Sequence, residues 1–571
     1  MLRYLRPLAR TMALGMTIKI LATLCELALP YILSYILDVA VPTGEIGRVL
    51  LWGGIMILAA LGALIGNVVA NRNAARVARD AAREMRHDLF EATMHLSARE
   101  TDAFTVPSLE SRLTSDTYNV HHFIGMMQRI GVRAPILLIG GVAITLVLDW
   151  RLSLILLATL PLIGGAIFLI TRRGLPLYAY AQRAVDGMVR VVREDCNGVR
   201  VIKALTREDF ECERFDNSNR ALVARERKAG TAMAASQPLM SLFLNLGLVA
   251  VIALGAVFVS RDLSKPGRII AFIQYFTLMS TAMSVITRIF VQLTKSMASA
   301  GRIEEVLETF ERHNAEDPKT TQNGAENDGF LVFEDVCFSY NGKKDDLAHV
   351  SFSLPRGGTL GVIGATGAGK STLIQLLMRF YNANSGEIRI GGRSVLDFDE
   401  QELHALFGVV LQNDFIIADT VAENIRFGRD LSDEAIHRAA RLAQAEDFIL
   451  AFPEGFSHVL TAKGTNVSGG QRQRILIARA LAADPDILIL DDASSALDYR
   501  TDAALRQALR DEVRTTTVVV AQRVSSVKHA DHILVLDGGR VIGAGRHEEL
   551  LDSCPAYRAI RDSQMGGAFL E

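Results

Sequence analysis

The stretch Gly364-Ala365-Thr366-Gly367-Ala368-Gly369-Lys370-Ser371-Thr372 decides the fold of the second half of this 571-residue chain. It follows an apolar run, Thr359–Ile363, typical of a buried strand, and precedes Leu373–Phe380, which is typical of a helix. A glycine-rich loop that ends in Lys-Ser and joins a strand to a helix has the pattern of a P-loop. Backbone N–H groups of such a loop, together with the helix N-terminus, suit phosphate oxygens. The stretch therefore predicts a nucleoside triphosphate site, with Lys370 reaching the β- and γ-phosphates and Ser371 ligating Mg²⁺.

Composition limits the class of protein that carries this loop. Half of the residues are hydrophobic and the mean hydropathy is +0.23, which is high for a soluble enzyme of this size. The net charge of −2 argues against a nucleic-acid-binding protein held by bulk basicity. The 5 cysteines are scattered without a CxxC pair, so neither a zinc site nor a disulfide framework is indicated.

Apolar segments occupy the chain before the P-loop. Each is about 20 residues long, the length that crosses a hydrocarbon core of roughly 30 Å, and most lack a polar face. They predict six membrane-spanning helices, with approximate cores at Ile20–Val41, Val49–Ala70, Ile130–Leu148, Leu152–Thr171, Pro238–Ser260 and Ile269–Val291.

The connections between these segments predict the topology. The loops after the second and fourth segments are long and rich in arginine, which marks the cytoplasmic side. Both termini are therefore expected in the cytoplasm, and six crossings satisfy that parity. Few helix breakers occur in Ala74–Leu96 and Leu177–Ala204, which are expected to continue the membrane helices into the cytoplasm. Polar turns are expected near Asp102–Ser115 and near Thr206–Ser218.

Several polar side chains fall within or beside the predicted spans. They are candidates to line a cavity. Two other interpretations stay open for each of them, snorkelling toward the membrane surface and hydrogen bonding between helices. The residues are Lys19, Glu26, Asn67, Arg133, Asn245, Gln274 and Arg288.

A polar stretch separates the membrane segments from the P-loop region. Its composition predicts a linker at 312–328, between a transmembrane domain at 1–311 and a second domain at 329–571. The second domain alternates strands with helices, which predicts an α/β fold. Its strands are expected at Leu331–Val336, Thr359–Ile363, Gly408–Leu411, Ile487–Leu490, Thr516–Val520 and His532–Leu536.

A second nucleotide motif follows the P-loop. The run Asp486–Leu490 is typical of a buried strand, and it ends in the two carboxylates Asp491 and Asp492. At the carboxyl end of such a strand the first carboxylate can hold Mg²⁺, while the second faces the position of an attacking water. The two motifs together predict a nucleotide-hydrolase fold.

Between these motifs lies a stretch that resembles a family signature. Ser468-Gly469-Gly470-Gln471 resembles the signature of the ATP-binding-cassette family, with Val467 where a leucine usually stands. The resemblance extends over essentially the whole chain, because the six-span first half is similar to exporter-type membrane domains. Further matched positions are Tyr340, which would stack on adenine, Gln412 of the Q-loop and Asp498 of the D-loop.

This resemblance implies a mechanism and a set of partners. ATP and Mg²⁺ would be the cofactors, with Ser371, Gln412 and Asp491 around the metal. Two cassettes would face each other head to tail, so that Ser468–Gln471 completes the site of the other cassette. One cassette and six spans make a half-transporter. The implied partners are a second ABC half-transporter subunit, the lipid bilayer of the cytoplasmic (inner) membrane, and an amphipathic small-molecule or lipid substrate, but no nucleic acid.

Two positions depart from the family pattern. Asp492 stands where the family has the glutamate presumed to act as general base, and Gln522 stands where it has the switch histidine. Aspartate is one methylene too short, and glutamine cannot become cationic. The favoured interpretation is the degenerate-site subunit of a heterodimeric multidrug-type exporter. A homodimeric exporter with slow hydrolysis, an ATP-gated regulatory membrane protein and an importer with an exporter-type fold remain open.

Overall fold

The computed structural model describes residues 2–315, 329–412, 414–513 and 515–566. The chain divides into two compact units. The membrane unit contains Met1–His95 and Phe104–Glu311, and the cassette unit contains Leu96–Ala103 and Arg312–Glu571. Residues 312–315 belong to a helix rather than to the predicted linker, because the helical pattern of the sixth segment runs on without a breaker. The remainder of the linker prediction, 316–328, lies outside the described residues.

The membrane unit is helical. The helices of this part of the chain are α1 (Leu2–Leu5), α2 (Ala9–Tyr35), α3 (Ile46–Met94), α4 (Ala98–Phe104), α5 (Val106–Ser111), α6 (Thr117–Met126), α7 (Val132–Leu148), α8 (Trp150–Ala204), α9 (Glu208–Ala234), α10 (Ser236–Ser260) and α11 (Pro266–Ala315). All of α4 except its last residue belongs to the cassette unit. Three π-helical turns lie at Ile36–Ala40, Arg112–Asp116 and Met127–Gly131, and a 3₁₀ turn lies at Val41–Thr43.

Among the described residues, 5 helical stretches are long and apolar enough to cross a membrane. They are Ala9–Thr43, Ile46–Met94, Val106–Leu148, Trp150–Ala204 and Ser241–Ser260. The sixth predicted segment lies within the continuous helix α11. The number of crossings stays a prediction, while a helical membrane region followed by an α/β domain is confirmed.

The predicted cytoplasmic turns are shorter than expected. The first is mostly helical, since α4 and α5 occupy most of Asp102–Ser115, and Pro107 stands in the first turn of α5, where a missing N–H costs nothing. The second is confined to the residues between Ala204 and Glu208, where α8 ends and α9 begins. Both polar runs contain helix formers that the prediction of a turn undervalued.

Hydrogen bonds within the membrane unit join residues that are far apart in the sequence. Tyr275 is fully buried, and its hydroxyl donates to the carbonyl of Leu27 at 2.6 Å. The buried Asp116 accepts hydrogen bonds from Arg302 Nε and from Ser299, each at 2.8 Å. These bonds satisfy a carboxylate that burial would otherwise penalise strongly.

The cassette unit is built on two sheets. The strands are β1 (Leu331–Phe338), β2 (Leu347–Leu354), β3 (Thr359–Gly364), β4 (Ser385–Ile390), β5 (Arg393–Ser394), β6 (Phe407–Val410), β7 (Ile487–Asp491), β8 (Thr516–Ala521), β9 (His532–Asp537) and β10 (Arg540–Gly545). The helices are α12 (Lys370–Leu377), α13 (Glu400–Ala405), α14 (Val421–Arg426), α15 (Asp433–Leu442), α16 (Glu446–Leu450), α17 (Gly469–Leu481), α18 (Tyr499–Glu512), α19 (Val524–Val527), α20 (His547–Ser553) and α21 (Pro555–Gly566).

The larger sheet positions the site. Its strand order is β10-β9-β3-β8-β7-β6, and all neighbours are parallel except β9 and β10. The carboxyl ends of β3, β8 and β7 therefore meet at one edge, where the loops after each strand lie side by side. Each predicted strand overlaps an observed one. Sequence reasoning missed β2, β4, β5 and β10. Strands β4 and β10 contain glycine, which weakens a strand pattern, whereas β2 alternates buried and exposed residues, a strand signal that was overlooked.

Candidate nucleotide site

The P-loop holds two glycines in a left-handed backbone conformation. Gly367 has φ +79° and Gly369 has φ +98°, a region that other residues rarely adopt. A Cβ on Gly369 would also lie 2.9 Å from the carbonyl oxygen of Asp346, whereas one on Gly367 would meet nothing within 4 Å. The loop therefore needs glycine at Gly369 for two reasons and at Gly367 for one.

Lys370 begins α12 directly after this loop. Its ammonium donates to the carbonyl of Gly364 at 2.8 Å and to that of Ala365 at 2.9 Å. Burial lowers the pKa of Lys370, and the carboxylates Asp491 and Asp492 oppose that shift. The cation lies inside the curve of the loop, where the β- and γ-phosphates of a nucleotide are expected.

A cavity of about 320 Å³ opens beside the loop at the carboxyl edge of the sheet. It brings together ten predicted residues that are far apart in the chain: Thr366, Gly367, Gly369, Lys370, Ser371, Thr372, Gln412, Asp491, Asp492 and Gln522. Gly364, Ala365 and Ala368 shape the loop behind this surface without lining the cavity. The arrangement suits a phosphate chain, because cationic, amide and hydroxyl donors surround it.

Asp491 ends β7 and is almost completely buried. Burial and then the neighbouring Asp492 raise the pKa of Asp491, while Lys370 and the hydroxyl of Ser371 lower it. Ser371 Oγ lies 3.5 Å from Asp491 Oδ2, and Gln412 lines the same cavity. These are hard oxygen donors of the kind that Mg²⁺ takes.

A cluster of His, Cys or acidic ligands is not required for such a metal. Within the described ranges no group of 3 or more His, Cys, Asp or Glu side chains could hold a metal ion. Mg²⁺ is usually bound through one or two carboxylates together with substrate phosphates, so the donor set at Ser371 and Asp491 fits it.

Asp492 and Gln522 both line the cavity. Asp492 follows β7 with φ +53°, and its N–H donates to the carbonyl of Val520 at 2.9 Å. Asp tolerates the left-handed region better than most residues with a side chain. Gln522 follows β8 directly, so the two departures from the family pattern meet at one site.

Tyr340 lies at the rim of this site rather than in the cavity. Its hydroxyl lies 3.4 Å from Thr372 Oγ1 and also hydrogen-bonds Gln375. Its ring packs edge-on against Phe338 and Tyr381, at centroid distances of 4.8 and 5.0 Å. The side chain remains 46% exposed, which leaves surface on which a base could stack.

The segment Leu96–Ala103 belongs to the cassette unit and contacts this aromatic group. The hydroxyl of Tyr381 donates to the carboxylate of Asp102. Burial, followed by the hydrogen bond to Asp102, raises the pKa of Tyr381 to about 12. A turn between membrane helices is thus connected through Tyr381 to Tyr340 at the rim of the nucleotide site.

The predicted signature lies elsewhere in the cassette. Ser468 caps α17, accepting from Gln471 N at 3.2 Å, while its own N–H donates to Gln471 Oε1 at 2.9 Å. Gly469 and Gly470 form the first turn of that helix, whose N-terminus suits an anion. None of these four residues lines the P-loop cavity.

The D-loop residue is also a helix cap. Asp498 accepts from Thr501 N at 2.9 Å and Thr501 Oγ1 at 2.8 Å, and these bonds lower the pKa of Asp498. It begins α18 and does not reach the cavity in this chain.

Sequence reasoning missed several residues of the cavity wall. Lys344, Asp345 and Asp346 precede β2, and Gly538 and Gly539 form the turn between β9 and β10. The Gly-Gly pair is a recognisable turn signal. Nothing local indicates that these two loops reach the P-loop, since that depends on the order of strands in the sheet.

Comparison with known proteins identifies relatives of both halves. A family model described as ABC transporter transmembrane region matches residues 12–283, and one described as ABC transporter matches residues 347–495. An uncharacterised ABC transporter ATP-binding protein of Mycobacterium bovis is 33% identical over 98% of this chain and 97% of its own length. YfiB, an uncharacterised ABC transporter ATP-binding protein of Bacillus subtilis, is 32% identical over 99% and 98%.

A solved structure shares the fold of the whole chain. It is described as a bacterial Atm1-family ABC exporter with ATP bound, and it matches with a TM-score of 0.80. The alignment covers 98% of both chains at 24% identity. At this identity the match concerns the fold alone.

Proposed function

The chain belongs to the ABC transporter family, and from this premise we propose that it is the degenerate-site half of a heterodimeric exporter. Membership makes it a membrane protein whose ATPase is coupled to transport and which works as a dimer. The proposal concerns the finer points: a different second subunit, slow hydrolysis at the P-loop of this chain, and export of amphipathic small molecules or lipids across the cytoplasmic membrane.

One observation carries the proposal. Asp492 and Gln522 line the same cavity as Lys370 and Ser371. Binding groups are therefore retained where the two groups expected to activate and sense the attacking water are altered. A shortfall of about 1 Å in a catalytic group can cost on the order of 100-fold in rate. Two changes at one site are better explained by a loss of ATP hydrolysis than by unrelated sequence drift that leaves the activity adequate.

Each retained group then has a role in holding ATP. Lys370 binds the β- and γ-phosphates, and Ser371 with Asp491 and Gln412 would hold Mg²⁺. The metal would supply charge neutralisation between the phosphates. Tyr340 offers its exposed ring to the adenine. Together these groups would keep ATP bound between the two subunits.

The signature has the opposite role. Ser468–Gln471 begins a helix whose free N–H groups suit a γ-phosphate, and it lies outside the cavity of its own cassette. This supports a contribution to the competent site of the second subunit. Changing Gly470 should then abolish turnover even though the P-loop of this chain is intact.

The test is to measure ATPase in liposomes for this chain alone and together with the product of the neighbouring gene. Turnover only in the pair, abolished by changing the P-loop lysine of the partner but reduced far less by Lys370→Ala, is the expected result. Robust turnover by the lone chain, lost in Asp492→Asn, would instead establish a homodimer.

Transport assays decide the remaining alternatives. Uptake of labelled amphiphile into inside-out vesicles, dependent on the P-loop lysine of the partner, is expected for export. Uptake by right-side-out vesicles would indicate an importer. ATP-dependent conductance without accumulation against a gradient would indicate a gated regulatory protein.

A further inference from the structure

Charged side chains gather where α2, α3 and the chain from Met127 to Leu148 meet in the membrane unit. Lys19 and Glu26 belong to α2, Arg129 to the π-helical turn Met127–Gly131, and Arg133 to the first turn of α7. Arg129, Arg133 and Glu26 are close enough to act electrostatically on Lys19. We call Lys19, Arg129 and Arg133 the basic cluster.

The partners of the basic cluster do not balance its charge. Arg133 pairs with Glu26, with Nε donating to Oε2 at 3.1 Å. Lys19 is 4% exposed, and its hydrogen bonds to described residues go to the neutral amide oxygens of Asn67, at 2.6 Å, and Asn71, at 3.2 Å. A buried cation without a carboxylate is costly, which argues for a purpose beyond packing.

Arg129 is the least satisfied of these cations. Its Nε donates to the carbonyl of Gly125 at 3.0 Å, and in the described part of the chain it forms no ion pair. The side chain is only half-buried. It projects from a π-helical turn, an irregularity that is frequent at functional sites. Three cations against the single carboxylate of Glu26 leave an excess of two positive charges.

The position in the chain indicates where this charge lies in the membrane. Lys19 and Glu26 both belong to the candidate span Ala9–Thr43, and Arg133 to the candidate span Val106–Leu148. Lys19 and Glu26 are two helical turns apart, roughly 10 Å along the axis of α2. Relative to the span cores predicted from the sequence, Ile20–Val41 and Ile130–Leu148, Lys19 and Arg129 directly precede a core, and Glu26 and Arg133 lie in its first third, next to its predicted cytoplasmic end.

We propose that the basic cluster binds the anionic group of the transported substrate, so that the substrate class is an amphiphile carrying a phosphate, sulfonate or carboxylate. This rests on the proposed transport function and narrows its substrate. Arg129 would bind the anion directly. Arg133 would share its guanidinium between Glu26 and the anion, and Lys19 would supply the buried positive charge behind them.

The test measures binding without ATP hydrolysis, using the assembled transporter in phosphatidylcholine nanodiscs. The anionic probes are pyrene-labelled phosphatidic acid, which is a lipid, and pyrene-1-sulfonate, which is water-soluble. Pyrene-labelled phosphatidylcholine and pyrene-1-methanol are the matched uncharged or zwitterionic probes. Preferential binding of the anionic lipid would indicate a substrate taken from the membrane, and preferential binding of the soluble anion would indicate a water-soluble substrate. Either result supports the proposal.

Arg129→Gln should lower the affinity for the anionic probe by about tenfold or more, which corresponds to the loss of a charge-assisted hydrogen bond. The affinity for the matched neutral probe should change by less than about twofold. Arg129→Lys should retain most of the affinity. Arg151→Gln removes an equal charge from an arginine stacked on Trp150, outside the cluster, and should change neither probe.

The variant Glu26→Gln tests whether the ion pair between Arg133 and Glu26 is part of an anion-binding site or is purely structural. Removing the carboxylate of Glu26 releases Arg133, so anionic probes should bind several-fold more tightly. A structural pair predicts no gain. Equal affinity for anionic and neutral probes, or no gain in Glu26→Gln, would overturn the inference. That failure would leave the ATPase asymmetry of the proposed function untouched, and a homodimer that discriminates between the probes would leave the inference standing.

Discussion

Restoring the two altered groups of the P-loop cavity should convert a site of ATP retention into a site of turnover. The perturbation is Asp492→Glu combined with Gln522→His, two residues that line the same cavity as Lys370 and Ser371. The added methylene extends the carboxylate by about 1.5 Å toward the expected water. A positioned general base contributes on the order of 10²- to 10⁴-fold to a rate.

The backbone of Asp492 reduces this gain. Its φ is +53°, a conformation that aspartate tolerates and that costs other residues roughly 1–2 kcal/mol. If that strain were felt entirely at the site, it would remove about 5- to 30-fold. The net increase in turnover should therefore be at least several-fold for Asp492→Glu, and larger once Gln522→His adds an imidazole that can carry a proton.

The assay isolates this site by silencing the other one. The P-loop lysine of the partner is changed to alanine, and phosphate release is followed in liposomes containing the pair. Gln522→His alone should add little, because the shorter carboxylate of Asp492 would still not reach the attacking water. Asp492→Asn with Gln522→His is the matched control and should stay at background. If the restored double variant binds ATP as tightly as the parent and hydrolyses it no faster, the reasoning about these two residues is refuted.

Three further predictions follow from the described contacts. Gly369→Ala should destabilise the cassette about 1–3 kcal/mol more than Gly367→Ala, because only its Cβ meets backbone atoms; thermal unfolding of the nucleotide-free full chain measures this, and equal losses would contradict it. Arg302→Met should cost about 1–3 kcal/mol, because the buried Asp116 loses its ionic partner but keeps the hydrogen bond from Ser299, whereas Arg302→Met with Asp116→Leu should cost less; additive effects in the double-mutant cycle would exclude coupling. The raised pKa of Tyr381 means that its neutral hydroxyl stabilises the fold fully below about pH 10, and this contribution is lost as the pH rises through about 12. The melting temperature of the wild type should thus approach that of Tyr381→Phe only above pH 10, and a constant difference would refute the assignment.

The local patterns of the sequence were sufficient to predict most secondary-structure elements around the nucleotide site and to indicate the family. The P-loop lies between β3 and α12 as its glycines and Lys-Ser predict, and the run ending in Asp491 is a buried strand. Such features depend on contacts between residues close in the chain, which composition and periodicity record directly. The exporter-type fold and the ATPase followed from the same motifs.

The tertiary structure decided which of these elements meet. Gln522 joins Asp491 in one cavity because β8 lies between β3 and β7, an order that no local pattern specifies. It placed Asp102 against Tyr381, 279 positions away in the same chain. It also paired Glu26 with Arg133 and gave Arg129 no ion pair among the described residues, because helix packing, rather than the identity of a residue, determines its neighbours. The sequence by itself indicated the residues of the nucleotide site, and the packing determined which altered groups share that cavity and where the charged side chains of the basic cluster meet.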